Sequence, residues 1–262
     1  MITSASNGQV KNIVQLQQKT KARRDQGLFV VEGMKMFREA PAEWVQKVYV
    51  AEHLYNQGEV RESLKDFSME VVDDRVFRQM SDTKTPQGIL CVLKKPHYDA
   101  ADIIRKENPL LIYLEDLQDP GNLGTIFRTA EGAGADGILM SRNTVDVFNP
   151  KVIRSTMGSI YRMPFGYADD SDSFWESLRE HHITVYAAHL QGKNTYDGES
   201  YQKGTMFLIG NEGNGLSPQT AQRADCLIRI PMAGKVESLN AAMAAGILMY
   251  EAGRQRRKGC EK

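Results

Sequence analysis

Two periods of apolar and polar positions run along this chain. Short, nearly continuous apolar runs rich in Val, Ile, Leu and aromatic residues occur at 28–32, 45–50, 69–72, 88–93, 110–114, 137–140, 184–188, 205–209 and 226–230. Runs of this length, bounded by Gly, Pro, Asp or Asn, read as strands. Between them, apolar positions recur every three to four residues, as on a helix with one buried face. This predicts helices over 9–25, 34–40, 59–65, 76–80, 125–132, 151–155, 173–181, 218–224 and 238–254. Strand and helix alternate throughout, so the fold class is α/β. The apolar runs of the second half predict a parallel sheet covered on both faces.

The pattern weakens at 96–108, where Pro96, Asp99, Asp102, Lys106 and Asn108 mark a linker. The 262 residues then divide into an α/β domain over 1–96 and a second over 109–262. No apolar run approaches the ~20 residues of a membrane span, and the polar N-terminus lacks a secretory signal. Cys91, Cys226 and Cys260 form neither a ligand pattern nor a disulfide framework, which predicts a cytoplasmic protein. The five histidines match no metal motif and no G-x-S-x-G is present, so a metal centre and a serine hydrolase are both disfavoured.

The formal net charge of zero argues against a strong non-specific nucleic-acid binder. The distribution of charge qualifies this. Residues 1–24 contain Lys11, Lys19, Lys21, Arg23 and Arg24 and no acid, and the C-terminus carries Arg254, Arg256, Arg257 and Lys258. These are either solvated ends or two phosphate-contact patches.

Three segments of the second half mix glycine with polar side chains where a strand gives way to a loop. The first, 119–130, contains Asn122 and Arg128; a strand, a Gly-containing turn and a helix N-terminus make an anion site. Arg128, near the start of the predicted helix, opposes the dipole; its partner is either a phosphate or Glu131. The second, 210–216, has glycines at Gly210, Gly213 and Gly215, an order that fits neither a dinucleotide fingerprint nor a P-loop. Glu212 within it is either a solvated carboxylate or a hydrogen-bonding group for a ligand or helix end. The third, 230–242, ends a strand at Ile230 and opens a helix for which Ser238 is the expected N-cap. Leu239, Met243, Gly246, Ile247 and Tyr250 lie on one face of that helix, for core packing, with Ala242, Ala245 and Gly246 also allowing a partner helix to approach.

In order and content these segments resemble the three signature motifs of the SpoU/TrmH family of the SPOUT superfamily, the ribose 2'-O-methyltransferases. The text Lys21-Ala22-Arg23-Arg24, Phe29-Val30-Val31-Glu32-Gly33 and 81–88 resembles the L30e-like RNA-binding domain that often precedes the catalytic domain. The resemblance implies an N-terminal L30e-like substrate-binding domain and a C-terminal SPOUT domain with a trefoil knot. It implies S-adenosylmethionine as cofactor, with Gly210, Ile230, Met232 and Leu239 as its contacts and the loop after 184–188 close by. Asn122, Arg128, Glu212, Ser238 and Asn240 match the family's catalytic positions, and no metal is implied. Lys19, Lys21, Arg23 and Arg24 would contact RNA, and a homodimer would form through the last helix. The expected activity is 2'-O-methylation of ribosomal, 23S-type RNA; the alternatives are a transfer RNA methyltransferase and a non-catalytic RNA-binding or ribosome-assembly protein.

Overall fold

The apolar runs form strands wherever the pattern placed them, in a computed structural model that describes residues 1–168 and 171–259. Cys260 and the Lys258 side chain lie outside the described residues. The chain divides into two compact units. Unit 1 comprises Met1–His97 with Asp146–Tyr161; unit 2 comprises Tyr98–Val145 and the chain from Arg162 onward.

Unit 1 holds a four-stranded mixed sheet of β1 (Leu28–Glu32), β2 (Val45–Ala51), β3 (Met69–Val72) and β4 (Ile89–Lys94), in the order β1-β4-β2-β3. β4 runs antiparallel to β1 and β2, and β3 parallel to β2. The single helix expected over 9–25 is two helices, Gly8–Gln18 and Thr20–Gln26, because Lys19 between them is extended. Asn7 caps the first by accepting from Gln9 N–H at 2.8 Å, and its Val10, Ile13 and Leu16 enter a core with Tyr49, Val72, Phe77 and Met80. Gly27, at φ 65°, ends the second in the left-handed conformation that glycine adopts without strain. The sequence pattern assigned residues 146–161 to the second half, but they pack with unit 1. Phe148 meets Phe29 with ring centroids 4.8 Å apart, and Tyr161 Oη donates to Met36 O at 2.9 Å.

Unit 2 is built on a seven-stranded sheet of β5 (Leu110–Leu114), β6 (Gly137–Met140), β7 (Phe165–Tyr167), β8 (Thr184–Ala188), β9 (Asn194–Thr195), β10 (Thr205–Ile209) and β11 (Cys226–Arg229), ordered β7-β6-β5-β10-β8-β11-β9. All its pairings are parallel. β7 and β9 were not anticipated; at three and two residues they are too short to carry a period. The expected linker contains a short helix, Ala100–Ile104, that buries Ile103 and Ile104. Register sets where the site forms. Ile209 pairs with Leu114, Leu208 with Ala187, and Ile228 with Ala188. The loops after β5, β8, β10 and β11 therefore leave the same edge of the sheet, the carboxyl edge at which open α/β sheets bind ligands.

Candidate active site

The loop after β5 leads into the Pro120–Ala133 helix. Asp119 caps it by accepting from Asn122 N–H at 2.8 Å, with Pro120 in the first turn. The helix begins five residues earlier than the pattern placed it, so Arg128 lies in its third turn rather than its first. The dipole argument therefore does not apply to Arg128. Nor is Glu131 its partner, since that carboxylate binds Arg162. Arg128 is exposed and has no hydrogen-bond or ion-pair partner among the described residues.

Glu212, on the loop after β10, accepts from Gln118 N–H at 3.1 Å on Oε2, and on Oε1 from Asp119 N–H at 2.9 Å and Asn122 Nδ2 at 3.0 Å. Partial burial raises its pKa, but the hydrogen bonds from the Asn122 side chain and the Asp119 and Gln118 amides outweigh this and hold it below the ordinary value. Asn122 Oδ1 in turn accepts from Asn240 Nδ2 at 2.9 Å. Asn240 Oδ1 accepts from Ala242 N–H at 2.9 Å and Met243 N–H at 3.3 Å. One chain of hydrogen bonds thus joins the three motif segments. It also corrects the capping expectation: the last helix, Ala241–Gly259, begins after Asn240, and Asn240 caps it, not Ser238, which is exposed.

The pattern gave no signal for the groups that shape the loops around this chain. Glu115 accepts from Ser217 N–H and Ser217 Oγ, each at 2.7 Å, and from Thr220 Oγ1 at 2.5 Å, which fixes the start of the Pro218–Gln222 helix. Asn211 Nδ2 donates to Asp116 O at 2.8 Å, while Asn211 Oδ1 accepts from Gly213 and Asn214 N–H. A cleft of about 450 Å³ lies along these residues, with Glu115, Asp116, Gln118, Asn214 and Leu216 in its wall.

Gly210 sits where its loop turns back on itself: a Cβ there would stand 2.1 Å from Gly215 C and 2.2 Å from Leu216 N. The other expected cofactor contacts, Ile230, Met232 and Leu239, are half-exposed on the loop after β11, next in the sheet to β8. Leu190 after β8 and Val236 after β11 are 67% and 61% exposed, so this edge presents apolar side chains to solvent.

Of the four basic residues expected to meet RNA, Lys19, Lys21 and Arg24 are exposed. Arg23 is not: it is 2% exposed, and every arm of its guanidinium is engaged within unit 1. Nε donates to Asp146 Oδ2 at 2.8 Å, Nη1 to Leu16 O at 2.6 Å and Gln17 O at 2.9 Å, and Nη2 to Thr20 Oγ1 at 2.9 Å. It ties residues 146–161 to the N-terminal helices and offers no donor to phosphate. The small residues of the last helix are likewise internal. Ala242, Ala245 and Met249 are buried, and a Cβ on Gly246 would meet Thr129 of the Pro120–Ala133 helix. Met243 and Tyr250, at 60% and 50% exposure, form the outer stripe instead.

Comparison with known proteins agrees with this architecture. Residues 109–250 match the SpoU rRNA Methylase family, and residues 7–91 match the MRM3-like substrate binding domain. The crystal structure of an AdoMet-bound rRNA methyltransferase from Sinorhizobium meliloti is 33% identical and superposes with a TM-score of 0.85, covering 97% of each chain. An uncharacterized tRNA/rRNA methyltransferase of Synechocystis sp. is 34% identical over 97% of this chain and 93% of its own. The 23S rRNA (guanosine(2553)-2'-O)-methyltransferase RlmP of Bacillus subtilis is 31% identical over 95% of this chain and 97% of its own. Sheet, loops and relatives together define an α/β methyltransferase built on a parallel sheet. The chain belongs to the SpoU rRNA methylase family.

Among the described residues, no group of three or more His, Cys, Asp or Glu side chains could hold a metal ion, and no helix is long and apolar enough to cross a membrane.

Proposed function

We propose that this protein transfers the methyl group of S-adenosylmethionine to a ribose 2'-hydroxyl of ribosomal RNA in the cytoplasm. The observation that carries this reading is the hydrogen-bonded chain Glu212–Asn122–Asn240, which joins all three motif segments at the carboxyl edge of the sheet. Residues on this edge suit the cofactor. Ile230, Met232 and Leu239, with Leu190 and Val236, offer apolar surface for an adenosine, and the backbone at Gly210 admits no side chain. The cofactor, when bound, supplies an electrophilic methyl group on sulfur.

The protein's task is to position the 2'-oxygen and stabilise the charge it develops as its proton leaves. Glu212 does not take that proton: its two oxygens already accept three hydrogen bonds and its pKa is lowered. It holds the Asn122 amide in one orientation, and Asn122 holds Asn240. Arg128, a donor at any ordinary pH, anchors a target phosphate and the developing oxyanion. Ser238, exposed beside Asn240, contacts the substrate.

Arg128 stands six residues from Asn122, about 120° away around the helix, and so lies on a different flank from the side chain that joins the relay. It shares a face with Gly132, and a Cβ on Gly132 would lie 3.1 Å from Tyr250 Oη. The reading includes a second copy docked on the exposed Met243–Tyr250 stripe, with Arg128 reaching that copy's relay, so that the working enzyme is a homodimer with composite sites. Lys19, Lys21 and Arg24 of unit 1 bind RNA phosphates. Incubation with methyl-labelled S-adenosylmethionine and unmodified ribosomal RNA, followed by mapping of alkali-resistant linkages, tests the reading. Label incorporated into a base, or none incorporated by protein that binds the cofactor, would overturn it.

A further inference from the structure

We infer that Lys95, together with Arg24, forms an RNA-phosphate clamp on unit 1, in the place the sequence assigned to Arg23; this rests on the RNA-binding reading above. Lys95 N–H donates to Gly27 O at 2.9 Å, which fixes residue 95 at the C-terminal end of the Thr20–Gln26 helix that carries Arg24. Its ammonium lies over the Phe148 ring, 4.5 Å from the centroid, and Phe148 is buried against Phe29. A lysine laid on a buried ring keeps its charge while losing much of its rotamer freedom, so it meets an anion already ordered.

The charges around Lys95 do not balance. The acid that faces it is Asp146, and Arg23 already holds that carboxylate at 2.7 Å. Burial lowers the pKa of the Lys95 ammonium, Asp146 raises it, and Arg23 and Arg24 lower it again. Arg24 has only an exposed contact to Asp25 at 3.6 Å, and Lys95 has no ion-pair partner among the described residues. Bases at the end of a helix also complement its carbonyl dipoles, which is the purely structural role to be separated from phosphate binding. A phosphodiester fits the surplus: one negative charge with two free oxygens to accept from an ammonium and a guanidinium.

The test is the salt dependence of binding of an end-labelled RNA hairpin to the full-length protein and its Lys95→Gln, Lys95→Arg and Arg24→Gln variants, with melting temperature checked for each. Lys95→Gln and Arg24→Gln should each reduce the slope of log K against log salt by about 0.9 for a paired contact or about 0.7 for an unpaired one. Lys95→Arg should keep the wild-type slope. An unchanged slope in a folded Lys95→Gln protein overturns the clamp, as does an equal loss in Lys95→Arg, which would trace the effect to packing on Phe148. Competition by poly-L-glutamate as effective as unlabelled RNA would assign the pair to an acidic polypeptide and also overturn it. Wild-type protein that binds no RNA fails at the earlier step and takes the functional reading down with it.

Discussion

At the scale of single residues, Glu212 makes a sharp prediction because its role is to accept. Glu212→Gln replaces one of the two acceptor oxygens with an NH2 that faces a donor, either the Gln118 amide on one side or the Asp119 amide and Asn122 Nδ2 on the other. It also removes the charge that strengthens the rest, so the hold on the Asn122 amide weakens. Methyl transfer should fall about 10- to 100-fold while cofactor affinity stays within about threefold, since the loss is one of positioning. Titration calorimetry and single-turnover transfer separate the two. The stability change has a defined sign. The folded-state pKa of Glu212 lies below the ordinary 4.5, so its contribution is present above that value and is lost as the pH falls below it through the folded value. The difference in unfolding free energy between wild type and variant should shrink over that acidic range and not above it. Arg23 makes a second prediction, with no functional content. Arg23→Met takes the guanidinium from Asp146 and removes the donors to two carbonyls, at a cost of about 3 kcal/mol, read from urea unfolding.

At the scale of elements, Asn240 separates two jobs that one side chain performs. Its Oδ1 caps the Ala241–Gly259 helix and its Nδ2 orients Asn122. Asn240→Asp keeps an acceptor at the cap and adds a charge that suits the helix N-terminus, but it loses the amide donor. The melting temperature should hold or rise while methyl transfer drops, whereas Asn240→Ala should lose both, with about 1 kcal/mol from the cap. An Asn240→Asp enzyme with normal turnover would show that orientation of Asn122 is not needed.

The elements also show what the sequence could and could not disclose. Strands were legible because a buried parallel strand is apolar at nearly every position, as Leu110–Leu114 and Thr205–Ile209 are. Helix starts were less so, because they depend on side-chain caps. Asp119 and Pro120 carried the start signal for Pro120–Ala133, but the glycines after them masked it. The motif residues came into view through resemblance and proximity to strand ends. Their mutual hydrogen bonds span some 90 to 118 positions, a range that no local period encodes. Arg23 was misread because a basic run looks alike whether its members face solvent or a half-buried aspartate 123 residues away.

At the scale of the molecule, the dimer and the composite site stand or fall together. Met243→Glu or Tyr250→Glu charges the exposed stripe without entering the core, and should give monomers that remain folded yet inactive, as judged by sedimentation and circular dichroism. Complementation offers a stricter reading. Arg128→Ala and Glu212→Gln subunits, each strongly impaired alone, form a mixed dimer with one intact site if Arg128 acts across the interface. Equal mixing should then restore about a quarter of wild-type activity, because half of the dimers are mixed and each has one of two sites. No recovery after exchange of subunits would place Arg128 within its own subunit's site.

The excursion of residues 146–161 into unit 1 has a consequence for how the chain is made. A protein built from two consecutive domains can complete the first while the second is still being translated. Here Val147, Phe148, Val152, Ile153, Ile160 and Tyr161 are buried parts of the first unit, yet they are synthesised only after β5 and β6 of the second. At about 1.5–3 kcal/mol for each large apolar side chain, the missing burial is comparable to the whole margin by which an ordinary domain is stable. A nascent chain that has exposed only its first 97 residues is therefore expected to remain unfinished, protease-sensitive and dependent on chaperones. Completion of unit 1 then waits on translation of part of unit 2, so chains truncated before residue 146 should be recovered unfolded or degraded, as limited proteolysis would read.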